Sequence, residues 1–172
     1  MKTQLKCCYG ISSKVDEFTH IFMIDYDHVD LKDVTKHLID LQTDYGFSDI
    51  YIIESTNGYN AICLDCMPIS LIYNIGTRMD CPGDRLFFKY GFERCYYTMR
   101  MDNDKKLIAI LKSKNCFYEK SMQHKLFLEW FFDIKINGEK FIDGNKLDII
   151  QYPSTKNGYH LADKEVVSYY KQ

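Results

Sequence analysis

Residues 49–65 read DIYIIESTNGYNAICLD. Two β-rich runs flank Asn57-Gly58, and Asn-Gly between apolar runs is a strong short signal for a hairpin. The stretch predicts strands near 49–55 and 59–65. Upstream, HIFMIDYD (20–27) is an apolar run ending in two carboxylates, which predicts a strand over 20–26. Between them, DLKDVTKHLIDLQTDYG (30–46) puts Val34, Leu38, Leu41 and Tyr45 on one helical face. Asp30 suits its N-cap and Gly46 its C-terminus.

Downstream, Pro68 opens a helical stretch, PISLIYNIGTRM, at the position where proline is favoured. A Cys81-Pro82-Gly83-Asp84 loop follows, and RCYYTMRM (94–101) predicts a fourth strand. The order over 20–101 is β-α-β-β-α-β. That is the pattern of an α+β, ferredoxin-like or RRM-like core, with helices on one sheet face and the other face open. Asp25 and Asp27 belong on the open face.

Asp102-Asn103-Asp104 is a turn, and KKLIAILK (105–112) a further strand. The remainder predicts a helix over 121–134, a small hairpin over 135–141, a strand over 146–153 and a terminal helix over 162–172. No low-complexity linker intervenes. The expectation is one domain over 1–172, with a core at about 20–112 and a C-terminal extension at about 113–172 packed on it.

The net charge of −2 excludes a protein that coats nucleic acid by bulk electrostatics, so any such contact must use local clusters. The densest basic stretch runs from Lys105 to Lys125. The aromatic share of 15% can serve the core, base stacking or both. No signal-like segment and no membrane-length apolar run is visible. Seven cysteines without a secretory signal point to free thiols in a reducing, cytoplasmic setting. Cys63-Leu-Asp-Cys66 has metal-ligand spacing, but a second pair could come only from Cys7-Cys8 or Cys81, so buried, reduced thiols are the reading.

Asp25 and Asp27, two apart on a strand, share a face. Neighbouring carboxylates repel unless a cation sits between them or the face is wet. The choice is between a Mg2+ or Mn2+ site and a solvated strand end. In a β-α-β-β-α-β sheet, the end of the first strand lies beside the 55–60 turn. There Gly58 lets backbone approach a phosphate, or merely supplies positive φ to a hairpin. Arg94 and Arg100 share parity with Tyr96 and Thr98. They can face phosphates, with Lys105 across the turn, or guard an edge strand. A third carboxylate is sought at Asp80 or Asp84.

Taken in order, FMIDYD, STNGYN, and Asp80 or Asp84 followed by YYTMRMDNDKK resemble the archaeo-eukaryotic primase superfamily, the primase-polymerases of archaea, viruses, plasmids and other mobile elements. The resemblance covers residues 20 to about 112. It implies a nucleotidyltransferase of DNA replication that binds nucleotides and a DNA or RNA template, with a replication protein as a further partner. It makes Asp25, Asp27 and Asp80 (or Asp84) the catalytic metal ligands for Mg2+ or Mn2+. Ser55, Asn60, Arg94, Arg100 and Lys105 become substrate-binding residues. Asn60 stands where the family has histidine. It brings neither charge nor proton transfer, which leaves a catalytically degenerate binding module as the alternative. His160, in a second Asn-Gly-Tyr turn (STKNGYH), reads as convergent hairpin chemistry, with reach into the site as the other option.

Overall fold

The hairpin and its neighbours form as strands because their β-branched and aromatic residues alternate between two apolar faces. The computed structural model describes residues 8–102, 104–138, 140–152 and 166–168. In chain order it contains β1 (Cys8–Ser12), β2 (Thr19–Asp27), α1 (Leu31–Tyr45), β3 (Ile50–Ser55), β4 (Gly58–Pro68), α2 (Ile69–Gly76) and α3 (Arg85–Arg94). Then come β5 (Thr98–Met101), β6 (Lys106–Leu111), β7 (Lys120–Ser121), α4 (Met122–Phe132), β8 (Phe141–Ile142), β9 (Asp148–Tyr152) and β10 (Val166–Ser168). The molecule is mixed α+β. Among the described residues, no helix is long and apolar enough to cross a membrane.

β4 is the central strand. β2 runs antiparallel along one edge of it from Gly58 to Pro68. β3 takes the other edge as far as Cys63, and β7 continues that edge at Asp65. β6 closes the outside of β3. A second, antiparallel sheet has the order β10-β9-β1-β5. The first three predicted strands are thus neighbours in the order β2-β4-β3, but the fourth pairs with β1. The edge of β2 is already engaged by the chain returning from β1. Ile21 N–H donates to the Ser13 carbonyl, and Lys14 bridges His20.

Strand parity divides the core. Phe22, Ile24 and Tyr26 of β2, with Ile50, Ile52, Ala61 and Cys63, pack against Val34, Leu38 and Leu41 of α1, Ile72 and Ile75 of α2 and Phe88 of α3. The alternate residues Met23, Ile53, Ile62 and Leu64 pack against Ile11, Met99, Met101 and Ile149 of the second sheet and Phe127 and Leu128 of α4. Asp25 and Asp27 share the parity of Met23, so they lie on the face away from α1, α2 and α3. The sequence pattern predicts that this face is open; along most of its length it is not. The second sheet and α4 cover it, because β2, β3 and β4 are apolar on both faces and both must be buried. A cleft persists at the carboxylate end.

Several local expectations are corrected. Residues 85–94 form a helix, and Arg94 is its last residue rather than part of a strand. Cys95 takes a left-handed conformation that ends the helix, and the strand starts only at Thr98. Among the described residues, 135–141 show no hairpin; Phe141–Ile142 instead pairs in parallel with Lys120–Ser121. Within the expected terminal helix, Val166–Ser168 is a strand on β9, in keeping with its β-branched pair. The remainder of that helix and His160 lie outside the described residues. Cys63 packs on the α1 side and Cys66 on the opposite face, so their spacing does not converge the two sulfurs.

Candidate functional site

The hairpin register decides what surrounds Asp25. Ser55 pairs with Gly58, so Thr56 and Asn57 are the two loop residues. Neither they nor Gly58 takes a positive φ. Gly58 is required for another reason: a Cβ there would stand 1.9 Å from the carbonyl oxygen of Tyr26. Close approach of β2 to β4, not turn conformation, selects glycine. It sets Asp25 opposite Asn60 in the ladder.

Asn60 is almost wholly buried, and both ends of its amide are engaged. Its Nδ2 donates to Asp25 Oδ1 at 2.7 Å, and its Oδ1 accepts from Lys105 Nζ. An ammonium only donates and a carboxylate only accepts, so this is the one amide orientation that satisfies both. Asn60 therefore joins an acid to a base instead of presenting a free phosphate donor.

The third carboxylate is Asp84. Its backbone N–H donates to the Asp25 carbonyl at 2.9 Å, and its Oδ1 caps α3 by accepting from Leu86 N–H at 2.9 Å. Gly83 lets the preceding loop lie against β2, since a Cβ there would meet Ile24 Cδ1 at 2.6 Å. One oxygen from each of Asp25, Asp27 and Asp84 lies within 4.8 Å of the others. Asp80 is not part of this group. Its exposed carboxylate takes two bonds from Arg78, at 3.0 and 3.1 Å, and lines a separate cavity beside α1.

Burial pushes the Asp25 carboxyl up to about 6, with the Asp27 charge adding to the rise, Lys105 opposing it and Asp84 adding again. Burial likewise lowers Lys105, against the pull of Asp25. Both charges are destabilised by desolvation, and Asp25 has two like charges beside it. Such a site gains from a cation.

The cleft is about 290 Å³. The structure brings Asp25, Asp27, Ser55, Asn60, Arg100 and Lys105 together along it. Arg94 is elsewhere, on the α3 surface over the Tyr96 ring. Thr56, in the 55–60 turn expected there, also lines it, and missed by sequence reasoning were Asp102, Asp104 and Phe87. Arg100 Nε pairs with Asp102 at 3.0 Å, and Thr56 Oγ1 donates to Asp104 at 2.9 Å, fastening the hairpin to the β5–β6 turn. The Asp-Asn-Asp turn was the available signal, but a turn motif does not say which cleft it borders. An acid before RLFFKYGF is an N-cap signal for Asp84, but a cap ties the carboxylate only to the helix start and does not say that it meets Asp25.

Comparison of the chain with protein-family models, with curated proteins and with solved structures returns no match.

Proposed function

We propose that the chain is a primase-polymerase-like nucleotidyltransferase of DNA replication, acting on nucleotides and a DNA or RNA template with Mg2+ or Mn2+. The observation that carries this reading is the convergence of Asp25, Asp27 and Asp84 at one end of the sheet. The β2-β4-β3 pairing, with helices on the opposite face, supports an RRM-like core for it. Oxygen-only ligands suit a hard cation, which when bound would neutralise phosphate charge and activate a hydroxyl. The chain's own residues have the complementary tasks. Asn60 fixes the rotamers of Asp25 and Lys105. Arg100 and Lys105 bring positive charge to the cleft for phosphate oxygens. Half-buried Phe87 offers an apolar wall to a base.

The test is a Mn2+ titration of wild type, Asp84→Asn and Asp80→Asn, followed by primer synthesis on single-stranded template. Asp84→Asn keeps an oxygen for the helix cap, so it should fold normally while losing at least tenfold in Mn2+ affinity and abolishing synthesis. Asp80→Asn should match wild type in both. Absence of Mn2+ binding in wild type, or equal binding by the three proteins, refutes the reading.

A second reading is a catalytically degenerate binding module on the same fold. Asn60 favours it, because its amide is committed to Asp25 and Lys105 where the resembled family has histidine. Nucleotide binding without synthesis in wild type would select it.

A further inference from the structure

At the other end of β3 and β4 from the carboxylates lies a second groove, of about 360 Å³, that the proposed chemistry does not use. Three lysines line it from three separate places: Lys114 after β6, Lys120 in β7 and Lys140 before β8. Asn115 and Asn137 add amides to the wall, and Phe141 adds a ring.

The question is whether these cations are already neutralised. Among the described residues, one carboxylate lines the groove, that of Asp49. Both its oxygens are engaged, Oδ2 by Lys112 Nζ at 2.8 Å and Oδ1 by Ser113 N–H at 2.8 Å. Asp65, buried below, attracts Lys120 at longer range, but its own oxygens accept from Ser48 N–H and Ser48 Oγ. Lys120 rests over the Phe141 ring at 5.7 Å. Lys125 reaches the same ring at 5.4 Å but is ion-paired with Glu129 at 3.1 Å. The remaining positive charge thus converges on a concave surface of a chain whose net charge is −2.

We infer that this groove, with Lys114, Lys120 and Lys140, binds the phosphodiester backbone of a nucleic-acid strand, at a site separate from the Asp25–Asp27–Asp84 cluster. Lysines act as point charges toward phosphate, and among the described residues no base-reading arginine fork lines the groove, so recognition is sequence-tolerant. A nucleic-acid ligand follows from the proposed function, but its binding here needs neither metal nor catalysis.

The experiment is fluorescence anisotropy with a labelled oligothymidylate in EDTA, over a range of salt concentrations. It compares wild type, the triple variant Lys114→Gln/Lys120→Gln/Lys140→Gln, and a control of equal charge change, Lys32→Gln/Lys36→Gln/Lys89→Gln. Every phosphate of a single strand that a lysine neutralises adds about 0.7 to the steepness of the log–log salt dependence, so the groove variant should be shallower by about 2. The control should retain the wild-type slope. Equal flattening in both triples would mean bulk electrostatics and overturn the groove. No binding by wild type, or binding unchanged in the groove variant, would do the same. Competition by ATP or pyrophosphate at the oligonucleotide's own potency would overturn a strand-binding role in favour of a small anion site. Asp25→Asn, which disables the carboxylate cleft, should bind the oligonucleotide at least as well as wild type. The two readings therefore fail independently.

Discussion

At the residue scale, Asp25 carries an electrostatic cost that is readable as a pH dependence. In the unfolded chain it loses its proton near the ordinary 3.8, and in the fold near about 6. Below pH 4 both states hold the proton and the group costs nothing. Between pH 4 and 6 the folded state holds more protons, so stability from this group falls as pH rises. Above 6 the full cost is present, about 3 kcal/mol at most. Asp25→Asn keeps an oxygen for Asn60 and removes the charge. It should raise stability at pH 7 by about 2–3 kcal/mol and by under about 1 kcal/mol at pH 4. Urea unfolding at the two pH values checks this. A destabilised variant at pH 7 would mean that Lys105 more than balances the buried charge.

At the element scale, the β3–β4 hairpin separates two roles for glycine. If Asn57-Gly58 were a turn of positive φ, substituting either residue would strain the loop. The register instead makes Gly58 a strand residue whose missing Cβ admits the Tyr26 carbonyl. Gly58→Ala should cost about 2–3 kcal/mol, the range of an overpacked core site, and weaken Mn2+ binding by displacing Asp25. Asn57→Ala should change stability by less than about 0.5 kcal/mol. Thermal denaturation of the two variants decides. Comparable losses would restore the turn interpretation.

At the scale of the whole molecule, the second sheet and α4 are fastened over β2 by buried neutral histidines. His124 Nε2 lies 2.7 Å from the Ser12 carbonyl, which can only accept, so Nε2 carries the proton and Nδ1 accepts from Ser121 Oγ at 2.6 Å. Burial lowers His124 to about 4, and burial also lowers His20, bonded to Ser13 Oγ at 3.0 Å. For both, the unfolded chain takes up protons below about 6.5 while the fold does not. Stability is then lost as pH falls from 6.5 toward 4. From pH 7 to 5, His124 costs about 2 kcal/mol and Asp25 returns about 1 kcal/mol, with His20 adding to the loss. The protein should unfold at lower urea at pH 5 than at pH 7, and His124→Gln should flatten that difference. An unchanged midpoint would show that these rings are protonated in the fold.

The elements with one strong local signal were legible in the residues. The apolar runs of β2, β3 and β4 around Asn57-Gly58, the 3.6-residue spacing of α1 with Gly46 at its end, and the shared parity of Asp25 and Asp27 all follow from side-chain period and backbone stereochemistry. So does the approach of Asp25 to Asn60, which sit at strand ends that such a pattern brings together; Lys105 lies beyond that pattern and reaches Asn60 from just before β6, which pairs with β3. The tertiary structure alone decided what lay across the fold. β5 pairs with β1 because β2's edge was engaged by residues carrying no strand signal of their own. The supposedly open face is covered because β2, β3 and β4 are apolar on both sides, and burying the second side required partners far away in sequence. Asp84 rather than Asp80 joins Asp25 through a loop packed on Ile24 and a helix start bonded to the β2 backbone. Period and propensity act over a few residues. Which acid meets which depends on edges, packing and desolvation, and those exist only once the chain has folded.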